Sequence, residues 1–348
     1  MTGRPARDTY DHPVLPTVDH PRRRRRAVWT LALLPAVVLA GCSRQTVTPA
    51  PGAPVAYTAV GANVATPGDA VLPVATSTGK VGRPIVVGTL PSAVALVPGG
   101  ASLLVTVKAE DDLVEVSTAS GRIHKRVRVG LEPDAVAVTP DGSTALVANF
   151  GDNTVTEVRL PSLTVVRTVP VGRQPVAVAV TPDGKQALVA DFQDGTLSPL
   201  ALPALTPGPA VPVGAEPVAV AVTPSGDRAV VADFQTGGLT PVALPELVPG
   251  PAVVVGANPT GLVLPNGDTA WVSAGAGLTT VPLSGAPPGA VVPVGGPAQC
   301  IGAGPGATAW VGTGAGTLVE VAPATGKVLR TVRLSGIPAA VVVTRATT

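Results

Sequence analysis

Two series of polar side chains recur along the sequence at a spacing of forty-two residues, and carboxylate and amide groups make up both series. Members of one series end a short apolar run, and members of the other stand directly before a proline. The six residues are Glu132, Asn149, Gln174, Asp191, Glu216 and Asp233. Their oxygen atoms are ligands that hard cations prefer, and they can equally bind a polar partner. We therefore interpret the six residues as a candidate binding arc.

The same six positions have two other interpretations. Asp and Asn at strand ends cap turns through bonds to nearby backbone groups, and a duplicated repeat copies such caps without selection for binding. Alternatively, carboxylates that face one pocket could perform acid–base chemistry, and the protein would then be a hydrolase or a lyase. The spacing alone does not decide between binding, capping and catalysis.

Few other residues could carry chemistry, so we predict no catalytic residue, no metal site and no cofactor. His124 is the one histidine beyond residue 41, and it cannot by itself build a zinc or copper site. A Ser-His-Asp triad would depend on this histidine alone. Cys300 has apolar neighbours, which predicts a buried and unreactive thiol. The acidic stretch KAEDDLVE, residues 108–115, is typical of a solvated loop tip.

Composition indicates many short strands around an aliphatic core. Forty glycines and forty prolines predict frequent turns, and 45% apolar residues with only 2% aromatic ones predict a core of Val, Ala and Leu. Residues 1–41 carry seven Arg and three Asp, so the rest of the chain has 17 basic and 19 acidic residues and a net charge of −2. Without a basic stripe or aromatic residues for base stacking, nucleic acid is not an expected partner.

A repeat of 39 to 42 residues organises the chain, and a glycine marks each unit. These glycines are Gly88, Gly130, Gly172, Gly214, Gly256, Gly295 and Gly336. Apolar strands and tight turns at this period are typical of a β-propeller, in which each repeat forms one four-stranded blade. In the third unit, PVAVAVT predicts the innermost strand and the following Pro-Asp-Gly predicts a tight turn.

Six complete repeats are flanked by fragments of a seventh at both ends. Residues 337–344 match an innermost strand, whereas residues 55–87 contain matches to the second, third and fourth strands. Because an unpaired blade edge promotes aggregation, we expect the two fragments to pair and close the ring. The predicted fold is an all-β, seven-bladed β-propeller over residues 55–348, closed by pairing the C-terminal strand with the N-terminal strands.

The segment AVAVTPDGKQALVAD, residues 177–191, resembles the YVTN-type β-propeller repeat of bacterial and archaeal surface and periplasmic proteins. The resemblance covers about residues 55–348 and is strongest in the units that begin at Gly130, Gly172 and Gly214. This sequence has Leu or Val where the family has Tyr. The resemblance implies an extracytoplasmic propeller scaffold, and such a scaffold does not define an activity.

The N-terminus resembles the leader of a bacterial lipoprotein. Five arginines precede an apolar run of fifteen residues that ends in Leu-Ala-Gly before Cys42. This likeness to a lipobox implies a signal peptide over 1–41, lipid attachment at Cys42 and a Pro/Ala-rich tether over 42–54. An uncleaved anchor or a non-lipidated signal is the alternative, and the export route stays open between Sec and Tat.

These features together predict a monomeric lipoprotein held on the outer face of the cell membrane by the lipid at Cys42. Its predicted function is a binding or scaffolding module for an envelope protein. The alternative function is an extracytoplasmic hydrolase or lyase that uses carboxylates at the mouth of the propeller channel.

Overall fold

The computed structural model describes residues 53–61, 68–256 and 258–344. The predicted signal peptide, Cys42 and most of the predicted tether lie outside these residues. Within the described ranges, no helix is long and apolar enough to cross a membrane.

The described residues form seven antiparallel sheets, which we number as blades 1–7. The innermost strands of consecutive blades contact one another around the ring, and the innermost strand of blade 7 contacts that of blade 1. The predicted seven-bladed β-propeller is therefore confirmed.

Blades 1 and 2 have four continuous strands each, which run from the centre of the ring to its outside. The strands of blade 1 are Pro91–Leu96, Ser102–Val107, Asp112–Ser117 and Ile123–Arg128. The strands of blade 2 are Pro133–Val138, Thr144–Asn149, Thr154–Arg159 and Thr164–Pro170. A single 3-10 turn, Lys108–Glu110, follows the second strand of blade 1.

Blades 3 and 4 have outer strands in two short pieces, because a Gly-Pro pair interrupts each one. The strands of blade 3 are Pro175–Val180, Gln186–Asp191, Thr196–Ala201, Thr206–Pro207 and Val211–Pro212. The strands of blade 4 are Pro217–Val222, Arg228–Asp233, Gly238–Ala243, Val248–Pro249 and Val253–Val254.

Blades 5, 6 and 7 complete the ring, and blade 7 is built from both ends of the described chain. The strands of blade 5 are Pro259–Val263, Thr269–Ala274, Gly277–Pro282 and Val292–Pro293. The strands of blade 6 are Ala298–Ala303, Ala309–Thr313, Thr317–Ala322 and Lys327–Arg333, with a 3-10 turn at Pro305–Ala307. The strands of blade 7 are Ile337–Val343, Val55–Gly61, Ala70–Ala75 and Ile85–Val86.

The closure of blade 7 follows the predicted pattern of one C-terminal strand and three N-terminal strands. Val55–Gly61 pairs antiparallel with Ile337–Val343. The N–H of Val55 also donates to the hydroxyl of Thr344 at 2.8 Å. These contacts leave no open sheet edge between the last repeat and the first, which is the reason for the closure.

The core lies between neighbouring blades and is made of small aliphatic side chains. Leu104 and Leu113 of blade 1, for example, pack with Val147 of blade 2. Second strands are the most buried, because a blade covers them on each side. Cys300 is buried as predicted, and burial raises the pKa of its thiol to about 12.

Antiparallel strands place the connections on two faces. The turns that join strands one to two and three to four lie on one face, which we call the lower face. The loops that join strands two to three, and those that join consecutive blades, lie on the upper face. Lower turns are closed by local bonds: in blade 3, Thr181 donates to Asp183 at 2.6 Å, and this bond lowers the pKa of Asp183.

Candidate functional site on the upper face of blades 2 to 4

In blades 2 to 4, the loop that enters each blade is bonded on the upper face to the loop that follows the second strand. In blade 3, the N–H of Phe192 donates to the carbonyl oxygen of Gln174 at 3.0 Å. The same bond recurs in blade 2 at 3.1 Å and in blade 4 at 3.0 Å. The structure therefore brings the six arc residues together in three pairs on adjacent blades. The pairs are Glu132 with Asn149, Gln174 with Asp191, and Glu216 with Asp233.

The residue before the proline has a left-handed backbone in all three loops. The φ angles of Glu132, Gln174 and Glu216 are 49°, 55° and 62°. A side chain makes this region unfavourable, so surrounding bonds must hold it. Asn153 of blade 2 accepts the N–H of Gln174 at 2.8 Å, and Asp111 of blade 1 accepts the N–H of Glu132 at 3.0 Å. Both bonds cross a blade boundary, so the loops that enter blades 2 and 3 are each fixed by the preceding blade.

Half of the arc lies beneath the surface rather than on it. Asn149 is 0% exposed, and its side chain is hydrogen-bonded to the loop that enters blade 2. Its Oδ1 accepts the N–H of Gly130 at 3.2 Å, and its Nδ2 donates to the hydroxyls of Thr154 and Thr156 at 3.0 and 2.9 Å. All its polar atoms are used, so Asn149 acts as a cap in this geometry.

Asp191 occupies the equivalent position in blade 3 with an incomplete set of partners. Its Oδ2 accepts the hydroxyls of Thr196 and Ser198 at 2.9 and 2.6 Å, whereas its buried Oδ1 has no hydrogen-bond partner. Burial raises the pKa of Asp191 to about 6, and the hydroxyl bonds only partly oppose this shift. The side chain is 0% exposed, so it does not contact a substrate in this conformation.

Asp233 of blade 4 is buried in a similar way. Its Oδ1 accepts the N–H of Thr236 at 2.8 Å, and its Oδ2 has no hydrogen-bond partner. A Cβ on Gly214 would lie only 1.9 Å from that oxygen, so the loop approaches the carboxylate as closely as glycine allows. The second series thus supports the loops, and the first series, with Glu132 exposed and Gln174 and Glu216 half-buried, lies at the surface.

Sequence reasoning missed a third series on the same face. The chain has three phenylalanines, and all three follow the second strands of blades 2, 3 and 4. Phe150, Phe192 and Phe234 are partly exposed beside the loops that carry the arc. Leu131, which is 52% exposed in the loop that enters blade 2, extends this surface. Lys108 of blade 1 extends it further, because its Nζ lies 4.8 Å from the ring centre of Phe150. The signal was in the sequence, because the phenylalanines share the spacing of the arc.

The acidic stretch at residues 108–115 is more than a solvated loop tip. Arg126 pairs with Asp112 at 3.0 Å and donates to the carbonyl oxygen of Val87, beside blade 7, at 2.6 Å. Asp111 joins the same stretch to the loop that enters blade 2. The stretch therefore connects blade 1 to both neighbours, and the carboxylates of Asp111 and Asp112 are engaged in structural bonds.

Geometry gives the cation form of the arc no support in the part of the chain that the structure describes. No group of three or more His, Cys, Asp or Glu there is close enough to hold a metal ion. His124 is exposed on the outer strand of blade 1. A cavity of about 230 Å³ lies at the lower turns of blades 2 and 3, and one of about 350 Å³ lies beside Gly314 in blade 6. No arc residue lines either cavity.

Comparison with known proteins identifies the fold. No protein-family model matches this chain, and no curated protein matches it. Hydrazine synthase from Kuenenia stuttgartiensis is similar in structure, with 16% identity and a TM-score of 0.66 over 72% of this chain and 89% of that chain. A functionally unknown protein from Desulfotomaculum acetoxidans has 16% identity and a TM-score of 0.73 over 84% and 99% of the two chains.

A third similar structure comes from Bacteroides uniformis, and its provisional name is 6-phosphogluconolactonase. It has 17% identity and a TM-score of 0.70 over 84% of this chain and 100% of that chain. At these identities the three likenesses show a shared propeller fold and carry no activity over to this chain.

Proposed function

We propose that the protein is a lipid-tethered propeller of the cell envelope that binds a partner protein through the upper face of blades 2 to 4. The observation that carries the proposal is the row formed by Phe150, Phe192 and Phe234. Partly exposed aromatic side chains are enriched where protein interfaces concentrate their binding energy. The chain uses no phenylalanine in its core, so this placement on one face favours recognition over packing.

The surroundings of the phenylalanines match the layout of a protein interface. Glu132, Gln174 and Glu216 provide polar groups next to the aromatic rings, as the rim of an interface does around its apolar centre. The loops that enter blades 2 and 3 are held by bonds across blade boundaries, so these loops lose little conformational entropy when a partner binds. A row across three blades suits an extended partner surface better than a small ligand.

A lipid tether at Cys42 is part of this proposal, and the place where the described chain enters the ring is compatible with it. The described chain enters blade 7 at Val55, on the lower face, directly after the predicted tether over residues 42–54. A tether attached through Cys42 would therefore leave from the face opposite the phenylalanines. The binding surface would point away from the membrane and into the envelope.

Crosslinking in intact cells tests the binding surface. The tagged protein is compared with Phe192→Ala/Phe234→Ala and with a control, Val254→Ala/Leu329→Ala, which removes exposed apolar groups from the outer strands of blades 4 and 6. We expect one dominant co-purifying protein that is lost only in the phenylalanine variant, with unchanged melting temperatures. Equal recovery in all three samples, or no partner in any, would contradict the proposal.

Cell fractionation tests the tether independently. Cys42→Ala should move the protein from the membrane fraction to the fraction without membrane, because a diacylglyceryl group at this residue is the proposed anchor. Retention of Cys42→Ala in the membrane fraction would contradict the proposed lipid tether. The proposed binding surface would be unaffected by that result, because crosslinking tests it separately.

A further inference from the structure

Basic side chains are distributed unevenly around the outside of the ring. Six exposed bases lie on the outer edges and lower turns of four neighbouring blades, and we call them the basic rim. They are Lys327 in blade 6, Lys80 and Arg83 in blade 7, Arg122 and Lys125 in blade 1, and Arg159 in blade 2. Within the described part of the chain, none of them forms an ion pair with a carboxylate.

The opposite side of the lower face is acidic. The lower turns after the first strands of blades 2 to 5 each expose one aspartate, and a lower turn of blade 4 adds a glutamate. These residues are Asp141, Asp183, Asp227, Asp268 and Glu246. The corresponding turns of blades 1 and 6 consist of glycine, proline and other uncharged residues. The lower face is therefore basic around blade 7 and acidic around blades 3 to 5.

Protection of sheet edges does not explain this bias. Lysine and arginine on an outer strand discourage edge-to-edge pairing, but proline and short strands do so equally. Blades 3, 4 and 5 have short outer strands with prolines and no base. A ring that needed only protected edges would not require six bases on neighbouring blades.

The chain enters the ring in the middle of the basic rim. Val55 lies on the lower face of blade 7, between the bases of blades 6 and 1. Thirteen residues, the length of the predicted tether over 42–54, reach at most about 45 Å when fully extended. We propose that the basic rim rests on an anionic lipid surface, namely the headgroups of the membrane that holds the tether. This inference rests on the lipid tether of the proposed function.

The charge pattern makes this contact favourable and directional. Clusters of four to eight basic residues bind anionic lipid headgroups, and the attraction falls off within about 8 Å at physiological salt. The short tether keeps the rim at a high effective concentration near the headgroups, so weak attraction is sufficient. The acidic turns of blades 3 to 5 are repelled, so the ring tilts with blade 7 toward the lipid.

The orientation of the ring on a membrane is tested by measuring lysine reactivity in protein that is tethered to vesicles. The chain from Cys42 to Thr348 is coupled through Cys42 to a maleimide lipid; Cys300 does not compete, because its buried thiol has a pKa raised to about 12. Acetylation of Lys80, Lys125 and Lys327 is then measured by mass spectrometry. Exposed Lys185, on the acidic side, is the internal reference.

We expect the three rim lysines to react about threefold more slowly on vesicles of phosphatidylcholine with phosphatidylglycerol than on phosphatidylcholine alone, with high salt removing the difference. Lys185 should react equally on both. Equal rates for all four lysines, or equal protection of Lys185, would overturn the proposal. The proposal would also be overturned if the protein bound a soluble polyanion but its rim lysines were not protected on vesicles.

Arginine variants distinguish an effect of the basic rim from an effect of net charge, and they leave the lysines whose acetylation is measured unchanged. Arg83→Gln/Arg122→Gln/Arg159→Gln should abolish the protection. The control is Arg128→Gln/Arg173→Gln/Arg333→Gln, which removes the same amount of charge from the upper ends of the blades. In this control the rim lysines should remain protected. Identical behaviour of the two variants would contradict a specific rim. Because the coupling is chemical, the outcome does not depend on lipidation in cells, which the Cys42→Ala fractionation tests.

Discussion

Replacement of Asp191 by Asn should stabilise the protein at neutral and alkaline pH. The chain contains the template for this change, because Asn149 occupies the same position in blade 2 and all its polar atoms are bonded. Thr196 and Ser198, which now donate to Asp191, stand where Thr154 and Thr156 accept from Asn149. An amide at residue 191 could therefore use the two hydroxyls as acceptors and remove a buried charge.

The magnitude follows from the pKa of the carboxyl group. Its pKa is raised from 3.8 to about 6, so the folded state binds a proton more tightly than the unfolded state does. This contribution to stability is fully present below pH 4 and is lost as the pH rises through 6. At 1.36 kcal/mol per unit, the loss is about 3 kcal/mol. Asp191→Asn should regain about this much at pH 8 and almost nothing at pH 4.

Urea unfolding at several pH values measures the effect. The midpoint should rise for Asp191→Asn at pH 8 with an unchanged slope, and the difference from wild type should shrink toward pH 4. The mirror variant Asn149→Asp should lose stability at pH 8 and recover it in acid. Lower stability of Asp191→Asn at pH 8, or a difference independent of pH, would refute the reasoning.

Deletion of residues 337–348 should abolish folding or cause oligomerisation, because it exposes the second strand of blade 7; a stable monomer by light scattering would count against closure. Gly214→Ala should lower stability by about 1–3 kcal/mol through a clash with Asp233. Gly256→Ala is its control, since its φ is also positive and no atom of the described residues outside its chain neighbours lies within 4 Å of a Cβ added there. Equal losses of stability in thermal unfolding would exclude the clash. Cys300 should react with maleimide only after unfolding, and labelling of the folded chain would contradict its burial.

The ring could be predicted because its signals are local and repeated. Each blade contains its own turn residues and apolar runs, so the period, the strand order and the closure by residues 337–343 followed from the sequence. The outer strands were less predictable. In blade 3 the fourth strand is divided into Thr206–Pro207 and Val211–Pro212 around a Gly-Pro break, which the repeat period does not reveal. Outer strands have one neighbour only, so small local features decide their bounds.

The candidate site was predictable in position and less so in chemistry. The spacing of the arc residues placed them on one face of blades 2 to 4, as observed. Which of them reach the surface depends on the close approach of the loop glycines, which is a property of the packed ring. Asp191 and Asn149 occupy equivalent positions in the repeat, so spacing does not distinguish them. Only the packed structure shows that Oδ1 of Asp191 lacks a hydrogen-bond partner. The phenylalanines were overlooked because the search for a recurring series considered carboxylate and amide side chains, and aromatic residues are only 2% of the chain.

The strand that completes blade 7 is synthesised long after the strand it pairs with. Val55 and Thr344, which bond to each other, are 289 residues apart. At roughly 5–20 residues per second, translation keeps these partners separated for roughly 15–60 seconds. Any chain interrupted before residue 337 lacks the piece that locks the ring and would expose its unfinished blade to proteases. We therefore expect chains that end before residue 337 to be more sensitive to proteolysis than the full-length chain.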